Sequence, residues 1–338
     1  MTPQTTAAAP TSRRLGDTGP TVSPLGLGLM GMSDLYGPAD EVESMATLHA
    51  ALDAGVTLLD TGDFYGMGHN EMLLREGLRG RNRDDVVISV KFGALRGPDG
   101  SWSGVDTSPA AIKNFLAYSL ERLGTDHIDI YRPARFDPSV PIEETVGAMA
   151  ELVEAGWVRH IGLSEVGADT LRRAAAVHPI ADLQIEYSLI SRGIESEILP
   201  TARELGVGIT AYGVLSRGLL SGHWTADRDV SDFRAHLPRF SGDNLHANLR
   251  LVEALREVAE SRGASVAQVA VAWVASRGED IVPLVGARTR TRLEESLGAL
   301  ELDLSADDLA AIERAVPAEA AVGTRYDAMQ MSFLDSEK

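Results

Sequence analysis

The chain has 338 residues, 44% of them hydrophobic and 24% charged, a balance that suits a globular protein with a full core and excludes disorder as its dominant state. It contains no cysteine, which removes disulfide frameworks, thiolate nucleophiles, iron–sulfur clusters and cysteine-ligated zinc together. With 31 basic and 49 acidic residues the formal charge is -18, a field that repels phosphate backbones and anionic bilayers, so neither nucleic acid nor a membrane is expected as a partner.

Residues 1–12 are polar and alanine-rich, without the basic start and apolar core of a signal peptide. They read as a disordered tail on a cytoplasmic protein whose remaining residues, 13–338, form one domain. From Asp40, apolar residues at Val42, Met45, Leu48 and Leu52 follow helical spacing, and Gly55 stops the helix before a strand at 56–60. The pattern recurs. Ser108-Pro109 opens a helix carrying Ile112, Leu116, Leu120 and Leu123, Gly124 ends it, and a strand follows at 127–131.

Pro141 begins a third unit with Glu143 and Glu144 in its first turn, where acids suit the helix dipole. Ile142, Val146, Met149 and Val153 share one face, Gly156 follows, and the strand is 158–163. A fourth unit runs from Glu195 through Gly206 into 207–212. Adding strands at 24–29, 86–91, 182–187 and 280–285 gives eight, and eight helix-linked strands predict a closed (β/α)8 barrel, a TIM barrel. A doubly wound sheet competes, but no GxGxxG or Walker sequence occurs. Long connections at 92–107, with Trp102, and 215–248, with Trp224, would hang over the C-terminal face as substrate contacts.

Chemistry concentrates at two places. Asp60 ends one strand, Tyr65 lies five residues on, and Lys91 ends the next strand, although the chain has only three lysines, Lys91, Lys113 and Lys338. A tyrosine with a pKa of about 10 donates protons poorly at neutral pH, and an ammonium held beside it by a carboxylate would favour phenolate. A structural ion pair, or a Schiff-base lysine, would use the same residues. The second place runs from Gly286 through Arg288, Arg290 and Arg292 to Glu295 and Ser296, a strand entering a helix with three alternate arginines, which suits a phosphate. The eight histidines show no HExxH or paired spacing, so no metal site is expected.

Several landmarks resemble the aldo-keto reductases over residues 13–315: Arg14-Leu-Gly-Asp-Thr-Gly19, Leu25-Gly-Leu-Gly28, Asp60-Thr-Gly-Asp-Phe-Tyr-Gly66, Ile161-Gly-Leu-Ser164, Gln184-Ile-Glu-Tyr-Ser188, and the run from Gly286 to Ser296. The resemblance implies reduction of a small-molecule carbonyl, an aldehyde or ketone, by hydride from NADPH, with Tyr65 as proton donor, Lys91 tuning it and Asp60 holding Lys91. It also implies cofactor contacts at Gly31, Met32, Asp60, Ser164, Gln184, Tyr212, Gly213, Leu215, Arg217, Gly286, Arg288, Arg292, Glu295 and Ser296. Arg288 and Arg292 would take the 2′-phosphate, which favours NADPH/NADP+ over NADH.

Two departures accompany it. Where the family usually has a carbonyl-orienting histidine, this chain has Ala134, within Tyr131-Arg-Pro-Ala-Arg-Phe-Asp-Pro138, and Glu165 stands where many members have asparagine. Arg132, on the same strand face as Ala134, is expected to lend a guanidinium to the vacated space. Pro133 is expected to break or bulge its strand. An NADPH-binding, weakly catalytic regulatory or sensor protein is the alternative. Nothing in the sequence decides for or against a homo-oligomer.

Overall fold

The computed structural model describes residues 12–338 except Asp34 and Asp229; apart from Ser12, the expected tail lies outside them. Eight parallel strands close a barrel in chain order: β1 (Gly26–Gly28), β2 (Leu58–Gly62), β3 (Val87–Phe92), β4 (Ile128–Pro133), β5 (Val158–Ser164), β6 (Ile180–Glu186), β7 (Gly208–Tyr212) and β8 (Ile281–Gly286). All eight expected strands are present, with their ends moved by a residue or two. β8 returns to β1 through Leu284↔Gly26, Val285↔Leu27 and Gly286↔Gly28. The (β/α)8 fold is therefore the TIM barrel that the spacing predicts.

The helix Pro109–Leu123 shows why the pattern was readable. Proline occupies its first turn, Ile112, Leu116 and Leu123 are buried, and Gly124 at φ +66 turns the chain while its N–H bonds the Leu120 carbonyl. The helix Glu41–Asp53 departs from expectation. Asp40 caps it by accepting from the Glu43 N–H, and its buried face is Ser44, Thr47, Leu48 and Ala51. Val42 points outward at 81% exposure. The neighbouring helix His69–Gly77 comes so close that a Cβ at Gly77 would collide with the Leu48 side chain, so the small residue at this crossing is Gly77.

Inside the barrel the side chains form layers. Leu58, Ile130 and Val282 make an apolar floor, sealed from below by Leu15 and Val22 of the N-terminal hairpin. Above them Ser89, Arg132, Asp182 and Thr210 make a polar layer, joined by Arg132 Nη2 to Ser89 Oγ (3.0 Å) and to Asp182 Oδ2 (3.0 Å), and by Thr210 Oγ1 to Asp182. The floor closes one end, so the C-terminal end is left for chemistry.

Pro133 neither breaks nor bulges β4: it pairs with Phe92 as the last strand residue, and Ala134 then donates its N–H to the Phe92 carbonyl. A proline at a strand end loses no ladder bond. The connection after β3 folds into a hairpin, Ala94–Arg96 with Trp102–Val105. That after β7 is shorter than expected, because the helix Gly242–Ser261 already includes Asn248. Residues 316–338 cross back over the C-terminal end and dock there through Asp335 Oδ2, which accepts from the Gly167 N–H at 2.8 Å. No helix among the described residues is long and apolar enough to cross a membrane.

Candidate active site

Strand register assembles the first cluster. β2 and β3 pair Asp60 with Ser89 and Gly62 with Lys91, and Lys91 Nζ forms a buried ion pair with Asp60 Oδ1. The other carboxylate oxygen accepts from Ser89 Oγ at 2.8 Å and from Gln184 Nε2 at 2.7 Å. Lys91 Nζ stands 5.0 Å from the centroid of the Tyr65 ring. Tyr65 begins a turn in which Gly66 (φ +54) and Met67 (φ +53) are left-handed, a geometry that aims the ring back over the strand ends. Phe64 lies edge-on to Tyr65 at 4.8 Å and to Trp102 at 5.6 Å; Trp102, 49% exposed, therefore borders the site from the hairpin.

The electrostatics differ from expectation in one respect. Burial, reinforced by the Asp60 carboxylate, pushes the Tyr65 phenol well above its usual range, while Arg135 pulls the other way. The net shift is thus opposite to the lowering expected from Lys91, because burial penalises phenolate more than nearby charge favours it. Burial also pulls Lys91 down; Asp60 resists this and Arg132 adds to it.

Arg132 does not reach the vacated space. Its side chain is wholly buried in the polar layer on Ser89 and Asp182, and Ala134 instead packs against Phe64 and Tyr65. Face alternation along a strand is sound, but Arg132 belongs to a deeper layer, and the strand ends before Ala134. The arginine at the mouth is Arg135, with Nη1 2.7 Å from the Ala134 carbonyl oxygen and Nη2 3.5 Å from the Tyr326 hydroxyl.

On the opposite side stands a charge network that sequence reading missed. Glu165, at a left-handed φ of +54, receives both Arg325 guanidinium nitrogens (2.8 and 2.6 Å), Ser336 Oγ (2.6 Å) and the Tyr212 hydroxyl (2.6 Å). Burial would raise its pKa, but Arg325 and Arg135 hold it well below the carboxylate range. Glu186 pairs with Arg217 at 2.8 Å, Arg325 at 3.4 Å and Arg239 at 3.7 Å, which together outweigh burial and bring it to about 2. Tyr326 lies under the Arg217 guanidinium (4.4 Å), its hydroxyl 3.2 Å from that of Tyr212. An acid two residues after Gln184 on a buried strand was a readable signal; nothing local marks Arg325 or Tyr326.

The arginines after β8 separate by role. Arg288 donates to the backbone carbonyls of Tyr36, Gly37 and Pro38, Arg290 is bound to Glu43, and Arg292 to Glu295, which His223 also meets. Ser296 is turned inward onto the Arg292 carbonyl. Gly31 and Met32 form the turn after β1. Gly213, at φ +67, approaches Glu186 so closely that its own Cβ would stand 3.0 Å from Glu186 Cγ, and Leu215 precedes the turn containing Arg217. Trp224 does not line the mouth: 5% exposed, it packs on Phe240 and Arg234 inside its own loop.

A nicotinamide dinucleotide fits these residues. Ser164 Oγ, at the end of β5, and Ser216 Oγ, after β7, are buried without a hydrogen-bond partner. A Cβ at Gly286 would meet nothing closer than 4.0 Å, so that strand end is open to a ligand.

A closed parallel barrel with an Asp–Lys–Tyr cluster at its C-terminal end defines a class of oxidoreductase. Residues 24–317 match the Aldo/keto reductase family, and the chain belongs to it. It is 42% identical over 318 residues to the probable aldo-keto reductase 1 of Glycine max, covering 93% of this chain and 91% of that one. Among solved structures it resembles the glycerol dehydrogenase of Gluconobacter oxydans (TM-score 0.83, 28% identity, 90% and 94% of the two chains). It also resembles the holo form of an aldo-keto reductase from Bacillus halodurans (TM-score 0.75, 27% identity, 94% and 98%). The protein is accordingly an aldo-keto reductase, an NAD(P)-dependent enzyme for small carbonyl substrates.

Proposed function

We propose that this chain uses NADPH to reduce aldehydes or ketones to alcohols, with Tyr65 as the proton donor. The observation that carries the reading is the buried Asp60–Lys91 pair beneath the Tyr65 ring. When bound, the cofactor supplies the hydride to the carbonyl carbon. Tyr65 gives its hydroxyl proton to the oxygen on which charge develops. Lys91 steadies the phenolate left behind, and Asp60 keeps Lys91 charged against the burial that would neutralise it.

Ser164 and Gln184 would hold the nicotinamide carboxamide, and Tyr212 would face the ring. Gly286, Arg288, Arg292, Glu295 and Ser296 would hold the adenosine end, Arg288 being the arginine of this run whose guanidinium, among the described residues, bonds backbone carbonyls. Gly31, Met32, Gly213, Leu215 and Arg217 complete the cleft.

The test is single-turnover oxidation of bound NADPH on mixing with a reactive aldehyde. Native protein should react, and Tyr65→Phe should slow the step by about 10²–10⁴-fold while NADPH binding, read by its fluorescence, persists. The second reading, a cofactor-bound protein with little turnover, is favoured by Ala134 packed against Tyr65 and by the raised Tyr65 pKa. It would be established if bound NADPH is oxidised by neither form.

A further inference from the structure

Arg135 differs from the arginines of the Glu165 and Glu186 network. Arg217, Arg239 and Arg325 each have a carboxylate within 4 Å. Arg135 has none among the described residues; its neighbours are the Ala134 carbonyl and the Tyr326 hydroxyl. It is partly buried; burial disfavours its charge, and the Tyr212 and Tyr326 side chains and, from beyond ion-pair distance, the Glu165 carboxylate offset this.

Its place is equally specific. The carbonyl it holds belongs to Ala134, whose side chain touches Phe64 and Tyr65, while its other nitrogen reaches toward Tyr326 and so toward Tyr212. The guanidinium therefore lies between the proposed proton donor and the residue proposed to face the nicotinamide. Around it stand four cationic side chains, Lys91, Arg217, Arg239 and Arg325, and four carboxylates, Asp60, Glu165, Glu186 and Glu337. Those charges are equal in number, so Arg135 adds an unmatched positive charge to the cluster. The Tyr326 phenol registers this field: burial would raise its pKa, yet Arg217 and Arg135 bring it below the usual value.

We infer that Arg135 selects carbonyl substrates carrying an anionic oxygen group, a carboxylate or a phosphate, near the reacting carbon. The inference rests on the reductase reading above and deepens it. A planar guanidinium binds such a group through paired, charge-assisted hydrogen bonds, and the Tyr326 hydroxyl stands beside it as a further donor. The carbonyl end of the substrate would then lie toward Tyr65, whose phenol lies within the field of the Arg135 charge.

Matched substrate pairs test it: succinic semialdehyde against its methyl ester, and glyceraldehyde 3-phosphate against glyceraldehyde. Native protein should prefer a charged member by about 10- to 100-fold in kcat/KM, the range of a charge-assisted hydrogen bond; the pair that shows the preference distinguishes carboxylate from phosphate. Arg135→Met should collapse that ratio toward one, mainly through KM, and Arg135→Lys should restore part of it. Equal ratios in native protein and Arg135→Met would overturn the inference, as would a native preference for the uncharged partners.

A second measurement needs no turnover. Butyrate and glycerol 3-phosphate are titrated into NADP+-loaded protein by calorimetry. Binding by native protein and not by Arg135→Met supports the anion site even if no aldehyde is reduced, in which case only the reductase reading fails. Binding by neither form, or equally by both, overturns the site while leaving the reductase reading to its own test.

Discussion

The two halves of the barrel mouth are built on different physical terms. On the β2–β4 side, one Asp–Lys pair sits under aromatic rings, and neighbouring strands in fixed register supply its members. On the β5–β7 side, two buried glutamates at strand ends are neutralised by arginines from a loop and from residues 316–338. The first arrangement is local and apolar-walled; the second is a polar mesh whose partners lie up to 171 residues apart. The contrast teaches that a strand ladder can deliver reacting groups by itself, whereas a buried charge cluster must recruit distant chain to be tolerated.

The contrast can be broken most severely at Arg325. Replacing it with leucine strands Glu165 without its principal counter-ion and leaves Glu186 to Arg217 and Arg239, and truncating one partner of a buried pair costs about 3–5 kcal/mol. The variant should lose several degrees of melting temperature, measured by calorimetry. A Tyr65→Phe variant, cut from the other side, should melt close to native. A melting temperature for Arg325→Leu within a degree of native would show that the mesh contributes nothing net.

The arginines after β8 allow a sharper and smaller test. Arg288→Ala should weaken NADPH binding by roughly 10-fold while leaving NADH nearly unchanged, since only the 2′-phosphate distinguishes them. Arg290→Ala removes an exposed pair with Glu43 and should leave stability nearly unchanged. Fluorescence titration with each nucleotide decides the first, denaturant unfolding the second.

Asp63 yields an effect that depends on pH. Burial, aided by the Glu71 carboxylate and opposed by Arg122, pushes its pKa from 3.8 up to about 8. In that interval the folded protein holds a proton the unfolded chain has released, so stability from this group is complete below 3.8 and is lost as pH rises through 8. Asp63→Asn cannot ionise. It should melt a few degrees higher than native at pH 8.5, and the gain should shrink toward pH 5.

Legibility followed the same division. Four strands were visible because glycine-stopped helices lead into them, the other four as strand-like runs followed by a helical pattern or a loop, and the Asp60–Lys91 pair because a lysine ending such a run is conspicuous in a chain with three lysines. Val42 was misplaced because helical spacing alone cannot tell a large apolar stripe from a close-packed face of serine, threonine and alanine. Arg132 was placed in the correct direction but in the wrong layer, depth being invisible to alternation. Trp224 read as a substrate wall because exposure of a loop aromatic depends on what folds over it. Arg325 and Glu165, 160 residues apart, meet only in three dimensions.

The barrel's closing seam carries a kinetic consequence. β1 and β8 come from opposite ends of the fold and share three paired positions, so the join is entropically expensive to find and is expected among the late events of folding. Arg288 and Arg290 stitch across that join to the Tyr36 carbonyl and to Glu43. A dinucleotide gripped there would bind the closed ring and not the open chain. At one hundred times its dissociation constant it would add about 2.7 kcal/mol to stability, holding that seam shut.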